Sequence, residues 1–487
     1  MMNFLRNRWV RLAALTAFLG GLGIYSMREK YCITDSDTWW HLKVGDWIVE
    51  NAALPHSGIL SRTAAQRPWV AYSWGYEVLL SKAYAWFGLV GIAAFGTLLT
   101  VGVAAASYWM LRRLSGRFLV SCVLAAITCA AFLFNGAPRP VFFSYILFCV
   151  LLALLFEAQR TGRVQSLYWL PALFLLWANV HIQFIYGLFT LGLFVSVQVG
   201  LEILSRTGRC PEYLVPPLVA AGPLLVVFAA CVCATLIGPN LYHPYLVVLA
   251  YMKAKFAYQV IVELQPLPFR LFSNFVELFL AAAGFYAVGW RKRIDLFKLA
   301  LLVVASVVSF RTMRDAWFSC LAAGACIADF PAEEADRDRR ESWRELGMLA
   351  ASAVLMMIAA APFTDFNARG LDRAISADYP VNAINFLRRS SFSGPLYNNL
   401  NWGGFLMWYL PELPVAIDGR NDLYGDDLDS VFYYSESAFP SYKTDPYLNE
   451  SGLVVLQSKL PLAKILTIDP RFRLIYRDEV ATVFGRQ

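Results

Sequence analysis

Apolar residues run along this chain in blocks of about twenty, the length an α-helix needs to cross the hydrocarbon core of a bilayer. The blocks lie near residues 9–27, 87–111, 118–136, 141–157, 165–180, 184–204, 213–237, 274–290, 295–310, 313–330 and 345–362. They predict about eleven transmembrane helices. The first follows Arg6-Asn7-Arg8 and runs on into Ser26-Met27-Arg28-Glu29-Lys30 with no small-x-small cleavage site, so it reads as an uncleaved helix. Basic clusters separate the blocks at Arg112-Arg113…Arg117, Arg160…Arg163, Arg206…Arg209, Arg291-Lys292-Arg293 and Arg337…Arg344. With the N-terminus inside, all of them face the cytoplasm, as the bias of Lys and Arg toward cytoplasmic loops demands. The topology is N-in, C-out.

The opposite side receives a long loop over 28–86, the turns Asn135–Pro140 and Asn179–Gln183, a second loop over 238–273, and residues 363–487. Polar composition returns in that last stretch. Short β-like runs at 394–397, 414–417, 452–456 and 472–476 alternate there with helical stretches near 380–389 and 459–468. The expected architecture is therefore an α-helical polytopic membrane domain over 1–362, including both loops, followed by a small extracytoplasmic α/β domain over 363–487.

Composition narrows the function classes. Of 487 residues, 58% are hydrophobic and only 16% charged, whereas soluble domains carry about a quarter charged residues. A soluble enzyme and a disordered protein are excluded. The net charge of +7 sits in short clusters between apolar blocks rather than on one basic face, so the partner is membrane lipid and not nucleic acid. The aromatic share of 15% fits interfacial belts. Most of the nine cysteines lie inside apolar blocks, only Cys32 lies clearly outside them on the outer side, and no CxxC occurs, so neither a disulfide framework nor a zinc ribbon is indicated.

Residues with chemistry gather on the outer side, where all four histidines (His41, His56, His181, His243) fall. The first loop opens Thr34-Asp35-Ser36-Asp37-Thr38-Trp39-Trp40-His41. Either Asp35 or Asp37 suits a helix N-cap. Beyond it Trp40, Val44, Trp47 and Ile48 recur at helical spacing, which predicts a helix lying in the outer interface with its tryptophan side in lipid. Asp37 and His41 stand one turn apart on another face, with Lys43 and Asp46 also polar. The helix N-terminus favours the ionised carboxylates. Arg139-Pro140 occupies an outer turn, and Arg311 and Arg314 lie between the ninth and tenth blocks. Arginine at the outer edge requires a partner: an anionic headgroup or phosphate, or a carboxylate such as Asp35, Asp37 or Glu263. Trp177-Ala178-Asn179-Val180-His181-Ile182-Gln183 interrupts a hydrophobic pass, making His181 a pocket-wall candidate alongside a purely structural turn. The second loop adds His243 and Glu263. In the tail, Asp418 to Asp427 reads as turn-forming acids that match no EF-hand spacing, while Asn398, Asn399, Asn401 and Trp402 are of the types that contact carbohydrate.

These features together resemble the GT-C class of membrane glycosyltransferases, which use polyprenyl-phosphate-linked sugars and include the protein O-mannosyltransferases and the aminoarabinose and oligosaccharyl transferases. The motifs Asp35-x-Asp37-Thr38-Trp39-Trp40-His41-Leu42, Pro68-Trp69-Val70…Ser73-Trp74…Tyr76-Glu77, Arg139-Pro140, Trp177-Ala178-Asn179-Val180-His181 and Ile417-Asp418-Gly419-Arg420…Tyr424-Gly425 are similar to a bacterial branch of that class with little assigned chemistry. The His-Pro-Pro motif of the mannosyltransferase-like members is absent; the nearest stretch is Leu54-Pro55-His56-Ser57.

The resemblance implies a bacterial inner-membrane enzyme working on the periplasmic or exterior side, most simply with inversion. It implies a polyprenyl-phosphate-sugar donor and an acceptor hydroxyl on a glycan, lipid or protein. A carboxylate must then take the hydroxyl proton; Asp37 is the first choice because it shares a helix face with His41, and Asp35 is the alternative. The departing lipid phosphate needs cations, for which Lys43, Arg139, Arg311 and Arg314 are candidates, with His181, His243 and Glu263 as substrate-site neighbours. Some members of the class hold a divalent cation near the acids; Asp35, Asp37 and His41 are the set this chain offers. Two other functions stand beside this one: a flippase or transporter of lipid-linked sugars, which calls for polar groups through both halves of the bundle and an inverted repeat, and a non-catalytic surface-glycan assembly protein working through its C-terminal domain.

Overall fold

A computed structural model describes residues 7–133, 137, 139–330, 341–390, 392 and 394–487; Arg6, residues 135, 136 and 138 of the Asn135–Pro140 turn, and Arg337 lie outside the described residues. Every apolar block folds as helix: Arg8–Glu29, Trp74–Ser115, Phe118–Phe132, Val141–Thr161, Leu170–Val180, Phe184–Arg206, Ala221–Thr235, Phe272–Gly289, Leu296–Arg311, Ala316–Ala328 and Trp343–Ala360. Only a helix satisfies every backbone polar group within one such segment in hydrocarbon. Among the described residues six helices are long and apolar enough to cross a membrane, and Phe118–Phe132 and Ala221–Thr235 are shorter apolar ones. The protein is a multi-pass membrane protein.

The chain divides into two compact units. The first comprises Met1–Met27, Thr97–Leu241 and Ile261–Thr364. Its centre is the helix Ala316–Ala328, buried at every position except Ile327. Small residues allow that burial: a Cβ on Gly284 would stand 3.2 Å from the Ala323 Cα, so the two helix backbones pack closely. Phe148 and Tyr186 close around Trp317 and Phe318. Phe279, Val307 and Leu355 point outward and stay exposed, the apolar surface that hydrocarbon covers. One end of this unit collects basic groups, where Arg113 meets Glu157, Arg112 Nε donates to Glu341 at 3.3 Å and Arg291 Nη2 pairs with Asp329 at 2.9 Å. At the other end the Leu170–Val180 helix stops where His181 turns extended (φ −163°, ψ 140°), and the next helix begins at Phe184.

The second unit comprises Arg28–Gly96, Tyr242–Val260 and Asp365–Gln487. It holds a four-stranded sheet of β1 (Leu396–Asn398), β2 (Leu453–Gln457), β3 (Phe472–Arg477) and β4 (Ala481–Arg486), ordered β1-β2-β4-β3. β1 and β2 are parallel; the other pairs are antiparallel. The β3–β4 turn is fastened by Asp478 Oδ1, which accepts from the amides of Val480 (2.9 Å) and Ala481 (2.6 Å). The expected run at 414–417 is not a strand of this sheet. Val415 instead bridges Ser61, with the Arg62 amide donating to its carbonyl at 2.7 Å.

The helix Ser36–Asn51 packs on the helix Leu400–Tyr409, and here an expectation is overturned. Trp40, Val44 and Ile48 are buried in protein, not turned to lipid, and Trp39 is wholly enclosed by Tyr379, Phe405 and Tyr409. An amphipathic stripe shows that one face is covered but not by what. Gly404 decides it: any Cβ there would come 2.8 Å from the Trp40 amide, so only glycine lets the helices meet. Asp418–Asp427 is likewise more than a turn, since the helix Asn421–Glu436 begins within it and breaks at Gly425 (φ 68°).

Asp429, on that helix, is buried, and its Oδ1 has no hydrogen-bond partner among the described residues. Burial, reinforced by Asp426, Asp418, Asp422 and Asp427, pushes its carboxyl up to about 8. The native state thus keeps a proton that the unfolded chain releases near pH 4. The stability this group contributes is complete in acid and is lost as pH rises toward 8. Asp429→Asn is expected to stabilise the protein at pH 8.5 by about 1–3 kcal/mol and to change little at pH 4. Thermal melts in detergent at both pH values check this; an unchanged melting temperature at pH 8.5 would contradict it.

Candidate active site

The acids of the first loop sit at the start of the Ser36–Asn51 helix. Asp35 occupies the N-cap in extended backbone (φ −74°, ψ 128°) but its side chain does not cap. It lines a polar cavity of about 410 Å³ together with Ser36, Asp378, Asn401, Lys459 and Glu479. Asp37 lies in the first turn, where its Oδ1 accepts the Trp40 indole N–H at 3.1 Å. Gly419 packs against the same oxygen, and a Cβ at that position would stand 2.2 Å from it.

His41 is held by a second acid. Its Nδ1 pairs with Glu77 Oε1 at 3.0 Å, both groups buried, and its ring lies 3.5 Å from that of Trp40. Glu77 appeared in a motif but not among the candidate site residues. Lys43 faces Asp46 at 3.3 Å and the Trp408 ring at 5.7 Å. Among the described residues no three His, Cys, Asp or Glu groups converge as metal ligands, so Asp35, Asp37 and His41 do not form the cation set that the resemblance offered.

Three sequence-distant motifs meet beside Asp37. Arg420 is fully buried and binds Asp418 bidentately, Nε to Oδ1 at 2.8 Å and Nη2 to Oδ2 at 2.7 Å. Its guanidinium stacks 4.9 Å from the Trp69 ring, and the Tyr424 hydroxyl donates to Asp418 Oδ2 at 2.6 Å. The Trp69 indole N–H donates to Asp422 at 2.9 Å, while Trp40 meets Trp69 edge-on at 6.3 Å. These partners offset the cost of taking such charges out of water, although Arg420 Nη1 has no hydrogen-bond partner among the described residues. The network holds Gly419 against Asp37. Turn propensity hid it in the sequence; the alternation of acid and arginine directly after a buried run was the available signal. Trp402 is buried too, its indole N–H given to the Asp378 carbonyl at 3.0 Å, and Asn398 and Asn399 are buried. Of the expected carbohydrate-contact group Asn401 and Trp402 line the cavity.

The first unit contains a different kind of cavity, about 350 Å³, lined by Arg139, Phe142, Tyr145, Glu263, Arg314 and Trp317 among others. Arg139 precedes Pro140 at the N-terminus of the Val141–Thr161 helix and pairs with Glu263 at 3.2 Å. Glu263 rides on a 3₁₀ turn, Val262–Leu264, latched to the 310–313 segment: the Met313 amide donates to Gln265 and the Leu267 amide to Phe310, at 3.0 and 3.2 Å. That latch brings Arg314 to the same cavity. Arg311 ends its helix exposed and does not line it. His181 is buried with Nδ1 2.8 Å from Ser144 Oγ, which also accepts the Trp177 indole N–H at 2.7 Å. It braces two helices rather than lining the cavity. His243 belongs to the second unit, exposed at the start of His243–Lys253 and stacked on Tyr242 at 4.6 Å. Tyr145 and Trp317 escaped sequence reading because aromatics inside apolar blocks look like ordinary core.

Arginines at the edge of an apolar hollow suit a group with a phosphate head and a hydrocarbon tail. No family model matches the chain, and no curated protein matches its sequence. Its fold, however, is similar to solved structures. The oligosaccharyltransferase of Archaeoglobus fulgidus, tethered to an acceptor peptide containing the NVT sequon, matches 93% of this chain and 70% of its own at a TM-score of 0.55 and 11% identity. The same archaeal protein in complex with an inhibitory peptide and a dolichol-phosphate matches 92% of this chain and 69% of its own at 0.51 and 11%. ArnT from Cupriavidus metallidurans, bound to undecaprenyl phosphate, matches 96% and 97% at 0.47 and 12%. The chain thus has the GT-C-type membrane fold that its motifs resemble.

Proposed function

We propose that this protein is a membrane glycosyltransferase that moves a sugar from a polyprenyl-phosphate donor to an acceptor hydroxyl on the extracytoplasmic side of a bacterial inner membrane. The observation that carries this reading is the Arg139–Arg314 cavity, an apolar hollow with guanidinium groups, in a chain sharing the fold of a protein solved in complex with a dolichol-phosphate. In the reaction the acceptor oxygen attacks C1 of the sugar as the C1–phosphate oxygen bond breaks, inverting that carbon. A carboxylate receives the hydroxyl proton. The lipid phosphate leaves as an anion steadied by Arg139 and Arg314.

Asp35 is the better base on these geometric grounds, because it borders the polar cavity an acceptor can enter. Asp37 has one oxygen committed to the Trp40 indole. Asp35→Asn is expected to lower sugar transfer by about 10²–10⁴-fold with donor binding unchanged, and Asp37→Asn to cost less. Turnover of a radiolabelled lipid-linked sugar pool in proteoliposomes measures both, and the reverse order would return the base to Asp37. Arg139→Ala and Arg314→Ala should each weaken undecaprenyl phosphate binding by about tenfold, whereas Arg311→Ala should not. Lipid titration followed by native mass spectrometry reads this, and equal loss in all three would dismiss the cavity as the phosphate site.

A further inference from the structure

A second polar cavity, about 370 Å³, opens at the end of the first unit where the basic clusters collect. The Val141–Thr161 helix reaches both places. Tyr145 lines the Arg139 cavity, and Gln159 and Arg160 line this one, about 21 Å further along at 1.5 Å per residue. Buried Lys298 forms part of the lining, its Nζ between Asp295 at 2.9 Å and Asp329 at 2.7 Å. Arg291 Nη2 also binds Asp329, at 2.9 Å.

Among the described residues that line it, Arg160, Arg291 and Lys298 outnumber Asp295 and Asp329 by one positive charge. Gln159 is only 5% exposed, and its amide nitrogen is spent on Asp295 Oδ1 at 3.1 Å. Its Oε1 is therefore held facing away from that carboxylate as an acceptor, and among the described residues it has no hydrogen-bond partner. Arg291 Nε, a donor, is buried and likewise has none among the described residues. The two orphans ask for opposite things: an anionic oxygen for Arg291 and a hydroxyl hydrogen for Gln159. A choline ester lacks the hydroxyl and supplies only the first of them. Val215, Leu218 and Phe330 add an apolar wall.

We propose that this cavity binds a phosphate ester bearing a free hydroxyl, the chemistry of a phosphoglycerol headgroup. The site is separate from the Arg139 cavity and does not rest on the glycosyltransferase reading. The test uses the full-length protein, delipidated in maltoside micelles, with native mass spectrometry of added lipids. Dioleoylphosphatidylglycerol should bind about tenfold more tightly than dioleoylphosphatidylcholine, with dioleoylphosphatidylethanol, anionic but lacking the hydroxyl, in between. Arg291→Gln should bring phosphatidylglycerol down to the level of phosphatidylcholine. Arg160→Gln, an exposed position that tolerates change should Arg291→Gln not fold, should weaken it several-fold. Displacement of the lipid by millimolar sn-glycerol 3-phosphate would assign the site to a soluble ester, and its absence to membrane lipid; both support the same chemistry. Equal binding of phosphatidylglycerol and phosphatidylcholine, or a preference that survives both substitutions, overturns the proposal. Equal binding of phosphatidylethanol and phosphatidylglycerol overturns the hydroxyl requirement.

Discussion

A charge withdrawn from water must find a partner of opposite sign with matching hydrogen bonds, and in a chain this apolar that requirement organises the polar residues. Arg420 is tolerated at zero exposure because Asp418 takes two of its donors and Trp69 covers its face. Lys298 is tolerated because two aspartates flank it. Arg139 meets Glu263 at the rim of a hollow lined by aromatic rings. Each such group is costly alone and acceptable as part of a closed set.

The same rule separates scaffold from chemistry around the first-loop acids. His41 and Glu77 pair with each other in the interior, while Glu77 Oε2 has no hydrogen-bond partner among the described residues. Asp418, Arg420, Asp422, Tyr424 and Trp69 form an interlocked layer whose effect is to bring the backbone of Gly419 against Asp37. Asp35 remains at a cavity wall, beside Ser36 and Asn401. An acid oriented by a rigid layer next to an acid facing open space is an arrangement in which proton transfer and positioning can be divided between two residues.

The helices, the basic clusters and the unusual status of Asp35, Asp37 and Arg139 were all legible along the chain, because hydropathy and charge act locally and leave a periodic record. The burial of Trp40 under the Leu400–Tyr409 helix was not, since lipid and protein are equally apolar coverings for the same stripe. Nor was the partnership of His41 with Glu77, 36 positions away. The β4 strand at Ala481–Arg486 passed unnoticed beside the more apolar β2, and 414–417 mimicked a strand because its residues are buried by a loop bridge.

By itself the amino-acid order determined that the protein lives in a membrane, which segments become helices, and which residue types are too costly there to be accidental. Tertiary structure alone decided which of those costly residues are spent on one another and which border a cavity. The reason is physical: transfer out of water depends on each residue's own chemistry, whereas satisfying a buried charge or a hydrogen bond depends on partners that only folding brings within 3 Å.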